Sequence, residues 1–399
     1  MIIATADRLK TIKEYYFSKK LEVIRHMQTR GLKVINLGIG NPDLSPSSDV
    51  IEDTTQALQK QESHGYATYR SSFELRRSIS KWYQRTYGVR LDPECQILPL
   101  LGSKEGIFYV SLTFLNPGDR VLVPNPGYPA YSSAASLVGA QVHYYQLEER
   151  NSWYPDWEAL EAMDLSGFKL MWVNYPHMPT GAKATDSVFS KLVEFGRKRR
   201  ILICHDNPYS LMLNSESPKS ILNSDPQLEV SLELNSMSKS FSMAGWRVGM
   251  LMTNEQVINS VLQVKSNVDS GMFLAIQAGA IAALRNSDNW HKERNRVYKQ
   301  RRIVIYKIFD LLGFQYTQNQ EGMFVWAKAP EHIPDVSQFL DVVLEKTLVF
   351  ITPGIVFGTN GQRYARASLC APIEVLHEAA DKIQGALQSL FQSHYGEEQ

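Results

Sequence analysis

A chain of 399 residues with 44% hydrophobic content can bury a core large enough for two domains. Its formal charge of +1 gives no electrostatic case for nucleic acid or a membrane surface, and three widely spaced cysteines (Cys95, Cys204, Cys370) form neither a disulfide framework nor a zinc pattern. Met1 leads into Ala4-Thr5-Ala6-Asp7-Arg8 without the apolar core of a signal peptide, and no apolar run approaches membrane-spanning length, so a soluble, cytoplasmic chain is expected.

Residues from about 7 to 30 read as an amphipathic helix ending near Gly31. The next stretch, Val34-Ile35-Asn36-Leu37-Gly38-Ile39-Gly40-Asn41-Pro42-Asp43, reads as a short strand running into a turn. From about residue 95 strands and helices alternate. Strands are expected at 97–101, 120–123, 141–147, 168–174, 201–204, 228–235 and 247–253, with helices near 103–115, 128–138 and 186–200. That alternation predicts a mostly parallel α/β sheet with ligands at the carboxyl ends of its strands. The basic run Arg197-Lys198-Arg199-Arg200 is expected as the last turn of a helix, where the helix dipole favours positive charge. Beyond Thr253 the pattern turns helical, with one long helix over 287–312. A smaller α+β unit follows, with strands near 323–328, 348–351 and 362–368 and helices near 335–346 and 372–394.

Chemistry concentrates at the strand ends. Lys239 lies in Ser236-Met237-Ser238-Lys239-Ser240, directly after the strand that ends near Asn235, and Arg247 follows eight residues on. A lysine held off water loses its proton readily and attacks a carbonyl, whereas hydroxyls and a guanidinium suit a phosphate. Gly102-Ser103-Lys104 opens a helix, whose free amides and dipole also suit a phosphate. Tyr128 follows the second strand, placed to stack on a planar ring. Asp206 ends another strand, where a buried carboxylate would stabilise a protonated pyridine nitrogen, and Tyr209 lies three residues on.

These motifs, with Pro179-Thr180-Gly181 and Asp206-Asn207-Pro208-Tyr209, resemble the class I and II aminotransferases of pyridoxal-phosphate fold type I, in family order from about residue 33 to 390. The resemblance implies a mostly parallel seven-stranded sheet in a large domain at 46–290. A smaller α+β domain would take 291–399, with residues 1–45 as an N-terminal arm and part of that small domain. It implies pyridoxal 5'-phosphate as cofactor and transamination between an L-amino acid and a 2-oxo acid. Lys239 would be the Schiff-base lysine, Asp206 the partner of the ring nitrogen, Tyr209 a contact to the ring oxygen, and Tyr128 the stacking ring. Ser103, Lys104, Ser236 and Arg247 would hold the phosphate. Arg366, in Tyr364-Ala365-Arg366-Ala367-Ser368, would bind the substrate α-carboxylate with the Gly40 backbone; its mid-strand place favours it over Arg363. Tyr66 would reach the phosphate of a partner subunit, implying a homodimer. The motifs look most like the LL-diaminopimelate and alanine-type branch.

Two positions depart from the family pattern. Met178 stands where the family usually has an asparagine that bonds the ring oxygen, so either Asn174 or His177 substitutes for it or the aldimine nitrogen is tuned differently. Ser71 stands at a usual glycine, which puts the local loop conformation in question. Two alternatives stay open: another reaction on the same cofactor, such as C–S β-lysis or elimination, and a non-catalytic cofactor-binding module.

Overall fold

The computed structural model describes residues 3–10, 12 and 16–395, with the backbone alone for 391–395. Its strands are β1 (Ile35–Asn36), β2 (Ile97–Leu100), β3 (Arg120–Asn125), β4 (Gln141–Gln146), β5 (Phe168–Val173), β6 (Leu202–Asp206), β7 (Ser231–Ser236) and β8 (Gly249–Met252), then β9 (Gln315–Tyr316), β10 (Phe324–Lys328), β11 (Val349–Phe350), β12 (Thr352–Pro353) and β13 (Tyr364–Ser368).

Seven strands form the large sheet in the order β2-β8-β7-β6-β5-β3-β4. Only β8 runs antiparallel to its neighbours; the remaining pairs are parallel. The inner strands are largely buried because the sheet is covered on both faces, whereas the edge strand β4 is buried only at Tyr145. Successive side chains divide between the faces: Leu170 and Trp172 of β5 enter one apolar cluster, Met171 and Val173 the other.

The second sheet is antiparallel, ordered β12-β13-β10-β9. β1 pairs in parallel with β11, so residues near the amino end are built into the carboxyl-terminal unit. The helix Asp288–Leu311, capped by Ser287, fixes the same segment through Arg301, whose two terminal nitrogens each lie 2.7 Å from an oxygen of Asp43.

The fold class is as expected, and the departures are local. A single helix over 7–30 is replaced by a 3-10 turn at Asp7–Lys10 and a helix at Tyr16–Thr29; residues 11 and 13–15 lie outside the described residues. The strand expected at 228–235 begins only at Ser231, since Leu228 has φ 55°. The strand expected at 247–253 starts at Gly249, because Arg247 has φ 57°. The basic run does end a helix, Asp186–Arg199, and is paired there: Arg197 with Asp225 and Glu229, Lys198 and Arg199 with Glu161. Ser71 adopts φ 58°, the left-handed conformation that a glycine takes freely. Its carbonyl accepts from Arg76 Nη1 at 2.8 Å and from Thr68 Oγ1 at 2.9 Å, which keeps the loop in the glycine-like shape despite the side chain.

Candidate active site

The carboxyl ends of β6 and β7, the amino ends of two helices, the β1 turn and the middle of β13 enclose a cavity of about 580 Å³. Gly40, Ser103, Lys104, Tyr128, Asn174, Asp206, Tyr209, Ser236, Lys239, Arg247 and Arg366 all line it. Eleven positions drawn from distant parts of the sequence thus share one space. Tyr66 does not; it is 93% exposed on the surface.

Lys239 sits in the short helix Met237–Ser240, which β7 launches and Ser236 caps by accepting the Ser238 amide at 3.2 Å. Its Nζ donates to the Gly40 carbonyl. Burial brings Lys239 down to about 8; Cys370 opposes this, and the charges of Arg366 and Arg247 add to it. A fraction of the amine is therefore neutral near physiological pH.

Asp206 closes β6. Its Oδ2 accepts from the Tyr131 hydroxyl at 2.9 Å, while Oδ1 is buried without a partner. Burial raises it to about 6, against the lowering effects of the Tyr131 bond, His205 and Ser103. Tyr131 lies flat on Trp172, centroids 5.1 Å apart and planes 2° off parallel, and meets Tyr128 edge-on at 5.6 Å. Tyr131 was not anticipated from the sequence. It sits three residues after Tyr128 in the helix Pro129–Leu137, a spacing that puts both rings on one face.

At the other end of the cavity the cations cluster. Arg247 Nη1 donates to the Ala244 carbonyl at 2.9 Å and lies 3.4 Å from Ser238 Oγ. Burial and the nearby Arg247 both lower the Lys104 pKa. A Cβ on Gly249 would lie 2.6 Å from the Ser103 nitrogen, so only glycine lets β8 approach the helix amino end so closely.

Arg366 is buried on β13. Its Nη2 donates to the Gly38 carbonyl at 2.6 Å and its Nη1 to Met178 Sδ at 3.2 Å. Arg363 instead spends its guanidinium on the carbonyls of Ala329, Pro330, Ile333 and Pro334. Gly40 needs its missing side chain, since a Cβ there would lie 2.3 Å from Phe324 Cζ.

At the departing position, Met178 is buried and lines the cavity. Asn174 donates to the Asp206 carbonyl at 2.6 Å and accepts from the Met178 amide at 2.8 Å, with its side chain also on the cavity wall. His177 bonds Thr180 Oγ1 at 2.8 Å and lies outside the cavity lining. Sequence reading also missed Phe17, Ser18 and Leu21, which reach the cavity from the helix Tyr16–Thr29.

Two features fit pyridoxal phosphate. The buried, partnerless Asp206 oxygen suits a ring N–H donor, and Lys104 and Arg247 beside the amino end of the helix Ser103–Phe114 suit a phosphate.

The family model described as aminotransferase class I and II matches residues 32–383. Among curated proteins, the LL-diaminopimelate aminotransferase of Nitratidesulfovibrio vulgaris is 38% identical over 380 residues, covering 95% of this chain and 98% of that one. That of Moorella thermoacetica is 37% identical, covering 96% and 98%. Among solved structures, apo-BacF of Bacillus subtilis superposes with TM-score 0.91 at 35% identity, covering 96% of this chain and 98% of that one. A probable N-succinyldiaminopimelate aminotransferase of Thermus thermophilus gives 0.86 at 29% identity, covering 93% and 99%.

Proposed function

The chain belongs to the class I and II aminotransferases, and on that premise we propose the roles of its individual residues in a pyridoxal-phosphate-dependent transamination. The observation that carries the assignment is the convergence of Lys239, Asp206 and Arg366, from three separate elements, on one cavity. When bound, the cofactor supplies an electron sink that stabilises negative charge at the substrate's α-carbon.

Lys239 Nζ would hold the cofactor in the resting enzyme and, once displaced by the substrate amine and with its proton affinity lowered by burial, would take the proton from the substrate Cα. Asp206 Oδ1 would accept the ring N–H, and Tyr131 holds the carboxylate in place through Oδ2. Tyr128 would cover the ring face. Tyr209 and Asn174 would offer an O–H and an N–H to the ring oxygen. Ser103, Lys104, Ser236 and Arg247 would hold the phosphate. Arg366 and the Gly40 backbone bind the substrate α-carboxylate, and Gly38 and Met178 aim the guanidinium.

The same reading puts the large domain at 46–290 and the small one at 291–399 with residues 1–45. The β1–β11 pairing and the Asp43–Arg301 clamp support the inclusion of the amino-terminal residues. A homodimer is supported by the exposed Tyr66, Tyr69, Val268 and Phe273. Their two segments adjoin, with the His64 and Phe273 rings 6.1 Å apart. Tyr66 would then reach the second subunit's phosphate. No described helix is long and apolar enough to cross a membrane, which agrees with a cytoplasmic enzyme.

The test is a panel of L-amino donors, including LL-diaminopimelate because relatives carry that name, with release of the 2-oxo acid as the readout. Product formation that requires a 2-oxo acid acceptor supports transamination. Ammonia release without any acceptor would instead establish elimination or β-lysis.

A further inference from the structure

Among the described residues lining the cavity, five carry charge, and each already has a place in the transaminase reading: Lys104, Asp206, Lys239, Arg247 and Arg366. The wall around Arg366 is different in kind. Its guanidinium carbon lies 3.9 Å from the centroid of Phe324, 4.5 Å from Phe357 and 5.5 Å from Phe17. The arginine therefore reaches the cavity through a collar of three rings. Phe17 and Leu21 stand four residues apart on one face of the helix Tyr16–Thr29, and Ile39 and Met178 complete the apolar surface. Leu21 is 43% exposed, an uncovered leucine at the edge of the site.

Resting on the transaminase reading, we infer that the preferred amino donor carries a large apolar side chain, of the leucine, methionine or phenylalanine class. Phe17 and Leu21 are the residues that select it. With the α-carboxylate held at Arg366, a donor's side chain must lie against groups beside that arginine. An apolar chain loses its water against Phe17 and Leu21 and gains by the area it buries. A second carboxylate or an ammonium would be stripped of water against rings and aliphatic groups, which disfavours it. Selection by a pocket of this chemistry is worth roughly 10–200-fold between side chains that fill it and those that do not.

Two arms test this on the holoenzyme. In the first, kcat/KM is compared for L-phenylalanine, L-leucine and L-methionine against L-glutamate, L-aspartate and LL-diaminopimelate, with L-alanine as reference. The apolar donors are expected to lead by tenfold or more, and Leu21→Ala and Phe17→Ala to reduce the phenylalanine-to-alanine ratio several-fold. Charged donors that equal or exceed the apolar ones would overturn the inference. In the second, unreactive 3-phenylpropionate and glutarate are titrated calorimetrically. Tighter binding of 3-phenylpropionate, weakened by Leu21→Ala, supports the inference, and tighter glutarate overturns it. If no donor reacts, the transaminase reading fails on its own, and the calorimetric arm still decides the character of the pocket.

Discussion

Arg366 Nη1 lies 3.2 Å from the sulfur of Met178, so the arginine proposed to bind the substrate carboxylate leans on the residue that departs from the resembled family's pattern. Asn174, which joins the Asp206 carbonyl to the Met178 amide, is the residue proposed to supply the amide instead. A donor to the ring oxygen stabilises the charged oxygen and hence the deprotonated form of the lysine-linked chromophore. Asn174→Ala is therefore expected to raise the pH midpoint of the holoenzyme's visible absorbance, and Met178→Asn to leave it nearly unmoved. A lower midpoint in Met178→Asn with no change in Asn174→Ala would transfer the role to position 178.

Arg366 should matter to every substrate alike. Arg366→Ala is expected to cost about 2–5 kcal/mol in kcat/KM for amino donors and 2-oxo acceptors together, because a buried charge pair is broken. Arg366→Lys loses the fork and should recover little. A loss restricted to one side-chain class in steady-state kinetics would place Arg366 in the side-chain pocket instead.

Asp206→Ala should lower turnover by far more than it weakens cofactor affinity, since its charge counts most as negative charge develops on the substrate. The cofactor-free protein offers an independent check. Burial raises Asp206 from the usual 3.8 to about 6, so the folded state binds this proton more tightly than the unfolded state. Stability is then lost as pH rises from about 4 through 6. Urea denaturation across that window should show Asp206→Asn free of this loss. Tyr131→Phe should deepen it, because the Tyr131 bond favours the ionised form.

Lys239 has the opposite sign. Its folded value of about 8 lies below the usual 10.5, so the unfolded chain binds the extra proton between those values and stability climbs with pH across them. At pH 7 cofactor-free Lys239→Met should be more stable than wild type by roughly 1–3 kcal/mol, with the gap closing above about pH 10. A constant gap from pH 7 to 11 would show that the ammonium is not penalised by burial.

Ser71 holds φ 58°, which glycine adopts without a Cβ penalty. Ser71→Gly is expected to stabilise the protein by up to about 1 kcal/mol, the left-handed strain being partly offset by glycine's greater freedom when unfolded. Ser71→Val should destabilise it, because a branched side chain fits this conformation worst. Denaturant midpoints for the three proteins decide the order.

The end of the cavity proposed for the cofactor was legible because its residues sit in short local motifs at strand ends, where spacing along the chain carries the geometry. Lys239, Asp206 and Arg247 are of this kind. The apolar end was not. Phe17 and Leu21 come from an amphipathic helix whose pattern says only that one face is buried, and nothing in the pattern says against what. Tyr131 lay between these cases: the helix was expected, yet a tyrosine one turn in reads as ordinary packing until Asp206 is placed beside it. Arg247 shows the limit for strands, since the apolar run from Val248 to Met252 that follows it suggested extension while its own backbone turns left-handed.

The pairing of β1 with β11 also fixes the order in which a newly made chain acquires its parts. The seven strands of the large sheet lie between residues 97 and 252, so that sheet, with Lys239 and Asp206, has all of its strands before the final third of the chain is synthesised. Residues 35 and 36 must wait for 349 and 350, and the Gly38 carbonyl must wait for Arg366. A nascent chain halted near residue 300 would carry Lys239 and all four residues proposed for the phosphate but not Arg366. Exposed on the ribosome, it would offer an amine, anion-binding groups and an unpaired β1 segment to whatever lay nearby, until the last hundred residues arrived to cover them.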